Sequence, residues 1–136
     1  MNDLKDELRE RILILDGGMG TMIQQYNLKE EDYRGINFQY LKGQQKGNND
    51  LLTLTQPHII REIHQKYLEA GADIIETCSF NSQRISMSEY GLTDKVKELN
   101  AAAAQIARSI ADEYTQKNPK KPRFVVGSIG PTGKTC

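Results

Sequence analysis

The chain has 136 residues, one domain's worth or less, and its 18 basic and 18 acidic residues give a formal net charge of zero. That balance offers no electrostatic case for nucleic acid or an anionic membrane, and no apolar run approaches the length of a membrane span. The first ten residues are charged and lack the apolar core of a signal peptide, and Cys78 and Cys136 form no metal spacing, so a reduced, cytoplasmic protein is expected.

Residues 3–11 predict a short polar helix. Ile12-Leu13-Ile14-Leu15 then reads as a strand buried on both faces, as in a parallel sheet. It stops at Asp16-Gly17-Gly18-Met19-Gly20-Thr21, a carboxylate followed by three glycines in four residues. Glycines let the backbone approach a ligand closely with N–H groups pointing outward. Asp16 beside them suits an amine while the N–H groups suit an anion, the two demands of an amino acid's zwitterionic end. The alternative is a plain turn in which Asp16 caps the next helix.

Residues 21–26 continue as a helix. Residues 27–49 form a long polar loop running into Lys46-Gly47-Asn48-Asn49-Asp50, and loops of that length in compact domains are usually functional. A substrate-side lid and a structural turn fit Lys46 to Asp50 equally. Thr55 and Pro57 open a helix with Ile59, Ile60, Ile63, Tyr67 and Leu68 on one face, ended by Gly71. Residues 73–80 are the second strand, and residues 84–90 a short helix closed by Gly91. A longer helix over residues 94–116 steps its apolar positions Val96, Leu99, Ala103, Ile106 and Ile110 by three and four. Its Ala101-Ala102-Ala103-Ala104 block implies close packing against a sheet. The charged residues 117–123, around Pro119 and Pro122, read as a solvated loop. Residues 124–131 are the third strand and its exit.

Strands separated by helices argue for an α/β fold with a parallel sheet and right-handed crossovers. All three strands end in small or polar residues: Asp16-Gly17-Gly18, Thr77-Cys78-Ser79 and Gly130-Pro131-Thr132-Gly133. In such folds the carboxyl ends of the strands form the ligand face, which favours the binding role of Asp16. A third strand followed only by residues up to Cys136 leaves a bare parallel edge, so the sequence reads as the front part of a larger barrel.

The other candidates are weaker. His58 and His64 lie six apart, off metal spacing; His58 is expected to be solvated in a first turn and His64 to border the apolar stripe. Cys78 is expected to be a packed small hydrophobe. Glu76 and Asn81 either line a pocket or bond neighbouring loops. Met22 is expected in the core, while Met19 contributes its backbone. Residues 128–135, Ser-Ile-Gly-Pro-Thr-Gly-Lys-Thr, narrowly miss a phosphate-binding P-loop: Ser128 replaces the first glycine and Pro131 lacks an N–H. A P-loop-like nucleotide-binding protein is therefore the rival reading.

Several segments together resemble the homocysteine-binding domain of the homocysteine S-methyltransferase family, in its cobalamin-dependent branch. They are residues 14–24, Glu31-Asp32-Tyr33-Arg34-Gly35, Lys46-Gly47-Asn48-Asn49-Asp50-Leu51-Leu52, residues 70–77, Phe80-Asn81-Ser82 and Gly130-Pro131-Thr132. The resemblance implies a (β/α)8 TIM barrel, of which residues 1–136 supply about the first three β/α units. It implies methyl transfer to the sulfur of homocysteine, giving methionine, with the methyl group drawn from methyltetrahydrofolate through methylcobalamin. By the same resemblance Asp16 helps hold the substrate's amine, and the backbone N–H groups of Gly17, Gly18 and Met19 meet its carboxylate. The family's zinc ionises the thiol, because the thiolate is the nucleophile. Its cysteine ligands lie in later strands, including a Gly-Gly-Cys-Cys segment without counterpart here, and Cys78 stands where relatives often carry Asn. The chain alone is thus expected neither to hold zinc nor to catalyse the transfer; the folate and cobalamin modules of a longer chain are its expected partners. A non-catalytic remnant is the alternative.

Overall fold

Three chain segments run side by side with their carboxyl ends together. They are Leu15, β1 (Ile74–Glu76) and β2 (Phe124–Val126), with β1 parallel to β2 in the register Ile74 to Phe124 and Leu15 in a single parallel bridge to Ile74. The structure, a computed structural model, describes residues 3–134; Thr135 and Cys136 lie outside them. The helices are α1 (Leu4–Glu10), α2 (Met19–Gln24), α3 (Glu30–Arg34), α4 (Leu52–Thr55), α5 (Pro57–Glu69), α6 (Arg84–Ser88) and α7 (Val96–Lys117). None of them is long and apolar enough to cross a membrane.

The strand–helix–strand order and the parallel pairing are those of an α/β fold. Pro57 opens α5, where its missing N–H costs nothing, and Gly71 at φ +110° ends it. Helices α5 and α7 pack against each other and against one face of the sheet. There Leu68, Ala72 and Ile75 meet Ala107, Ile110, Ala111 and half-buried Val125. A second cluster joins Ile23 and Tyr33 to Leu52, Ile59, Ile60, Ile63 and Cys78, and a third gathers Phe38, Leu41, Leu51, Met87, Leu92 and Leu99.

Several expectations change. The first strand is one bridged residue rather than a run buried on both faces: Ile12 is 90% exposed and Ile14 60%. Among the described residues no layer covers the sheet face opposite α5 and α7, so that apolar run stays in solvent. The first helix after the glycines begins at Met19, two residues early. The loop at residues 27–49 contains α3, and its end is packed, with Gln45, Asn48 and Asp50 buried. Of the alanine block only Ala103 is buried, because the helical period carries Ala107 and Ala111, not Ala101 and Ala104, onto the packed face. Nor is residues 117–123 a wholly solvated stretch, since Arg123 is buried.

Arg123 is buried because of Asp73, the residue just before β1. The Asp73 carboxylate accepts from the Ile14 N–H at 3.0 Å, Arg11 at 2.9 Å and Arg123 at 3.4 Å, with the Lys121 ammonium at 3.8 Å. Burial alone would raise this carboxyl; the Ile14 N–H and Arg11 bring it below the usual range. Its backbone pairs in both directions, N–H to Ile14 O at 2.8 Å and C=O from Phe124 N–H at 2.9 Å.

Asp73→Ala leaves Arg123 buried without its anion and is expected to cost about 3–5 kcal/mol in denaturant unfolding. His64, fully buried with no partner for either ring nitrogen, supplies a second test. Burial lowers its pKa to about 4, so the folded protein refuses a proton that the unfolded chain takes near 6.5. Its contribution is therefore present above pH 6.5 and lost as pH falls towards 4. The loss is on the order of 3 kcal/mol, and His64→Leu is expected to remove that part of the slope in unfolding curves between pH 7 and 4.

Candidate functional site

The register at the bottom of the sheet aligns the carboxyl ends at its top. Asp16 N–H donates to Ile74 O at 2.9 Å, which sets Asp16 beside the end of β1. Both oxygens of its carboxylate then lie 3.1 Å from the Glu76 N–H. Around this point opens a cavity of about 370 Å³. Asp16, Gly17, Gly18, Met19 and Gly20 form one wall; residues 76–81, leaving β1, form the floor and far side; Asn49, Asp50 and Ser128 close it.

All four residues expected to bind substrate, Asp16, Gly17, Gly18 and Met19, thus face one cavity. Neither the Gly17 nor the Gly18 N–H has an acceptor among the described residues. Burial pushes the Asp16 carboxyl up to about 6, opposed by the Glu76 N–H. Asp16 is therefore ionised at neutral pH, half-buried, and bound to one backbone donor, with capacity left for a cation.

The glycines also answer a steric demand from inside the protein. Neither Gly17 nor Gly18 has a positive φ. A Cβ on Gly17 would sit 3.2 Å from the Tyr67 hydroxyl, and one on Gly18 would sit 3.2 Å from Thr21 Oγ1. The protein's own side chains approach closely at both positions, so a Cβ at either would require Tyr67 or Thr21 to shift by a few tenths of an ångström. Gly130 is tighter still, its Cβ position 2.6 Å from Phe80 O and 2.7 Å from the ring carbons Cδ1 and Cε1, so Phe80 packs directly against the exit of β2.

Asn49, Asp50, Phe80 and Ser128 also line the cavity; Asn49 and Asp50 end the loop whose sequence fitted a substrate-side position as well as a turn, whereas Ser128 was not singled out as a site residue. Asp50 is buried, and one of its oxygens accepts from the Asn81 N–H at 2.7 Å and the Ser82 hydroxyl at 2.8 Å. Burial raises its carboxyl, with those two donors acting against the rise. Ser79 Oγ lies 2.7 Å from Thr77 Oγ1 and donates to Ser128 O at 2.9 Å, tying the ends of the two strands. The polar exits of the strands were the visible signal for this wall; the part played by Asp50 was hidden in a polar loop. Glu76 and Asn81 line the cavity as one of their two readings had it.

Zinc, which the family resemblance implies, finds no set of ligands here. Among the described residues no three His, Cys, Asp or Glu side chains gather to hold a metal. Cys78, 4% exposed, has its thiol pushed well up by burial and donates to Asn49 O at 3.6 Å, as a packed core thiol does. His58 is exposed and His64 buried, on different faces of α5. In the near P-loop, residues 131–134 are irregular, and the Lys134 N–H turns back to Thr132 Oγ1 at 3.3 Å.

The family model for homocysteine S-methyltransferase matches residues 13–136. Among solved structures, the metallated form of the homocysteine methyltransferase MmuM from Escherichia coli is similar at a TM-score of 0.74 and 26% identity, over 97% of this chain and 42% of that one. The oxidised form of the same enzyme is similar at 0.74 and 27%, over 98% and 42%. The chain thus spans about two fifths of the length of those structures.

Asp50→Ala would strand the Asn81 N–H and the Ser82 hydroxyl. It is expected to cost about 2–4 kcal/mol in chemical denaturation, with Asp50→Asn losing less because it keeps one acceptor oxygen.

Proposed function

The chain belongs to the homocysteine S-methyltransferase family, and from that premise we propose that its cavity holds the amino-acid end of homocysteine. The observation that carries this reading is one wall that joins an ionised, half-paired carboxylate to a turn with spare N–H groups. The Asp16 carboxylate takes the substrate's ammonium, a charge-assisted bond strengthened by partial burial. The N–H groups of Gly17, Gly18 and Met19 take its carboxylate. A zwitterion gripped at both charges presents its side chain in one direction only, and that fixed orientation is what the bound end contributes to transfer at the sulfur.

The finer reading follows the same residues. The segments at residues 14–24 and 46–52 support a cobalamin-dependent methionine synthase, in which methyltetrahydrofolate supplies the methyl group by way of methylcobalamin and methionine is the product. The parallel strand–helix order and the likeness to MmuM support a (β/α)8 barrel in which this chain forms the opening units. On this reading the described residues bind and orient the amino acid. Ionising the thiol and delivering the methyl group fall to parts outside them, including the zinc ligands and the folate and cobalamin modules.

Calorimetric titration with homocysteine between pH 5 and 8 tests the amine contact. The bound form needs ionised Asp16, so affinity is expected to hold above about pH 6 and to fall by up to tenfold per unit below it. Asp16→Asn is expected to bind at least about tenfold more weakly and without that pH dependence. Equal affinity in the two proteins would remove Asp16 from the site.

A further inference from the structure

Tyr67 stands on α5, outside the cavity and behind the glycine turn. Its ring lies against Gly17, so close that a Cβ there would meet the hydroxyl at 3.2 Å and the ring carbon Cε1 at 3.5 Å. The hydroxyl itself donates to Gly18 O at 3.1 Å. The other donor to that oxygen, the Met22 N–H, is longer at 3.4 Å. Burial, and then the Asp16 charge, raises the Tyr67 phenol, so it remains a protonated donor across the neutral range.

The consequence follows from peptide geometry. No cis peptide bond occurs among the described residues, so the Gly18–Met19 peptide is trans and planar. In such a unit C=O and N–H point in opposite directions. Holding Gly18 O back towards α5 therefore turns the Met19 N–H the other way. Met19 lines the cavity and Tyr67 does not. Asp16, fastened to β1 through the Glu76 N–H, fixes the other end of the same short turn.

We propose that Tyr67 is a positioning residue for substrate binding, aiming the Met19 N–H at the carboxylate of the bound amino acid by anchoring the Gly18 carbonyl. The proposal rests on the reading of this cavity as the homocysteine site. It assigns the two ends of the zwitterion to separate supports: β1, through Asp16, sets the amine contact, and α5, through Tyr67, sets the carboxylate contact. A ligand without a carboxylate is then indifferent to the Tyr67 hydroxyl.

Tyr67→Phe keeps the ring against Gly17 and removes only the hydroxyl. The full chain and this variant are titrated calorimetrically with homocysteine and with 3-aminopropane-1-thiol, the same molecule without its carboxylate. The dissociation constant for homocysteine is expected to rise about fivefold, the scale of one lost hydrogen bond, and that for the aminothiol to stay unchanged. Unchanged homocysteine affinity, or an equal loss for both ligands, overturns the positioning role. The Met19 amide resonance of both proteins without ligand is the second readout, expected to move when the hydroxyl is removed; a stationary resonance overturns the proposal whatever the ligands do. If the resonance moves but the wild-type protein binds no homocysteine, the brace stands and the substrate reading fails.

Discussion

Everything at the ligand face depends on one buried carboxylate at the opposite end of the sheet. Asp73 meets the Ile14 N–H, Arg11 and Arg123 with its side chain, and Ile14 and Phe124 with its backbone. It thus pins all three parallel segments at their amino ends. Register in a sheet has no half measures, because a slip of one residue turns each side chain to the other face. With Ile74 opposite Phe124 and Leu15 opposite Ile74, Asp16 must emerge beside Glu76 and Ser128 must reach the Thr77 and Ser79 hydroxyls. The cavity is the far consequence of that pin.

Helices do the remaining work of holding the cavity wall still. The glycine turn has no side chains of its own to pack, so its shape is imposed from two sides. Asp16 fastens it to β1, and Tyr67 fastens it to α5. Helix α5 in turn is held by its packing on α7 and by buried Ile59, Ile60, Ile63 and Leu68. Rigid elements behind a short turn place its N–H groups more closely than a free loop would.

What could be read from the sequence was local. The alternation of strands and helices, the carboxyl-end position of Asp16-Gly17-Gly18 and the apolar stripe of α5 all follow from spacing within about ten residues. What escaped notice depended on distant partners. Ile12 and Ile14 have the composition of a buried strand, but burial requires a covering layer that their own sequence cannot supply. Arg123 sits among charges and prolines that suggest solvent, yet its anion, Asp73, is fifty residues back in the chain. Tyr67 steps correctly into the apolar stripe, which hid the fact that its hydroxyl reaches out to Gly18. Asp50 looked like one more polar residue in a loop until folding brought Asn81 and Ser82 to it.

Three carboxylates in this small fold show why one of them suits an incoming ammonium. Asp73 is already matched by Arg11, Arg123 and a backbone N–H, and its lowered pKa records that its charge is satisfied. Asp50 is buried more deeply and raised, with one oxygen engaged by the two donors it organises. Asp16 lies between these extremes. Its burial is enough to lift the carboxyl to about 6 and to strengthen a Coulomb contact, but not enough to protonate it at neutral pH. Its one backbone donor leaves acceptor sites open towards the cavity. A cation binding there gains an interaction that the folded protein leaves open, whereas at Asp73 it would first have to displace Arg11 or Arg123.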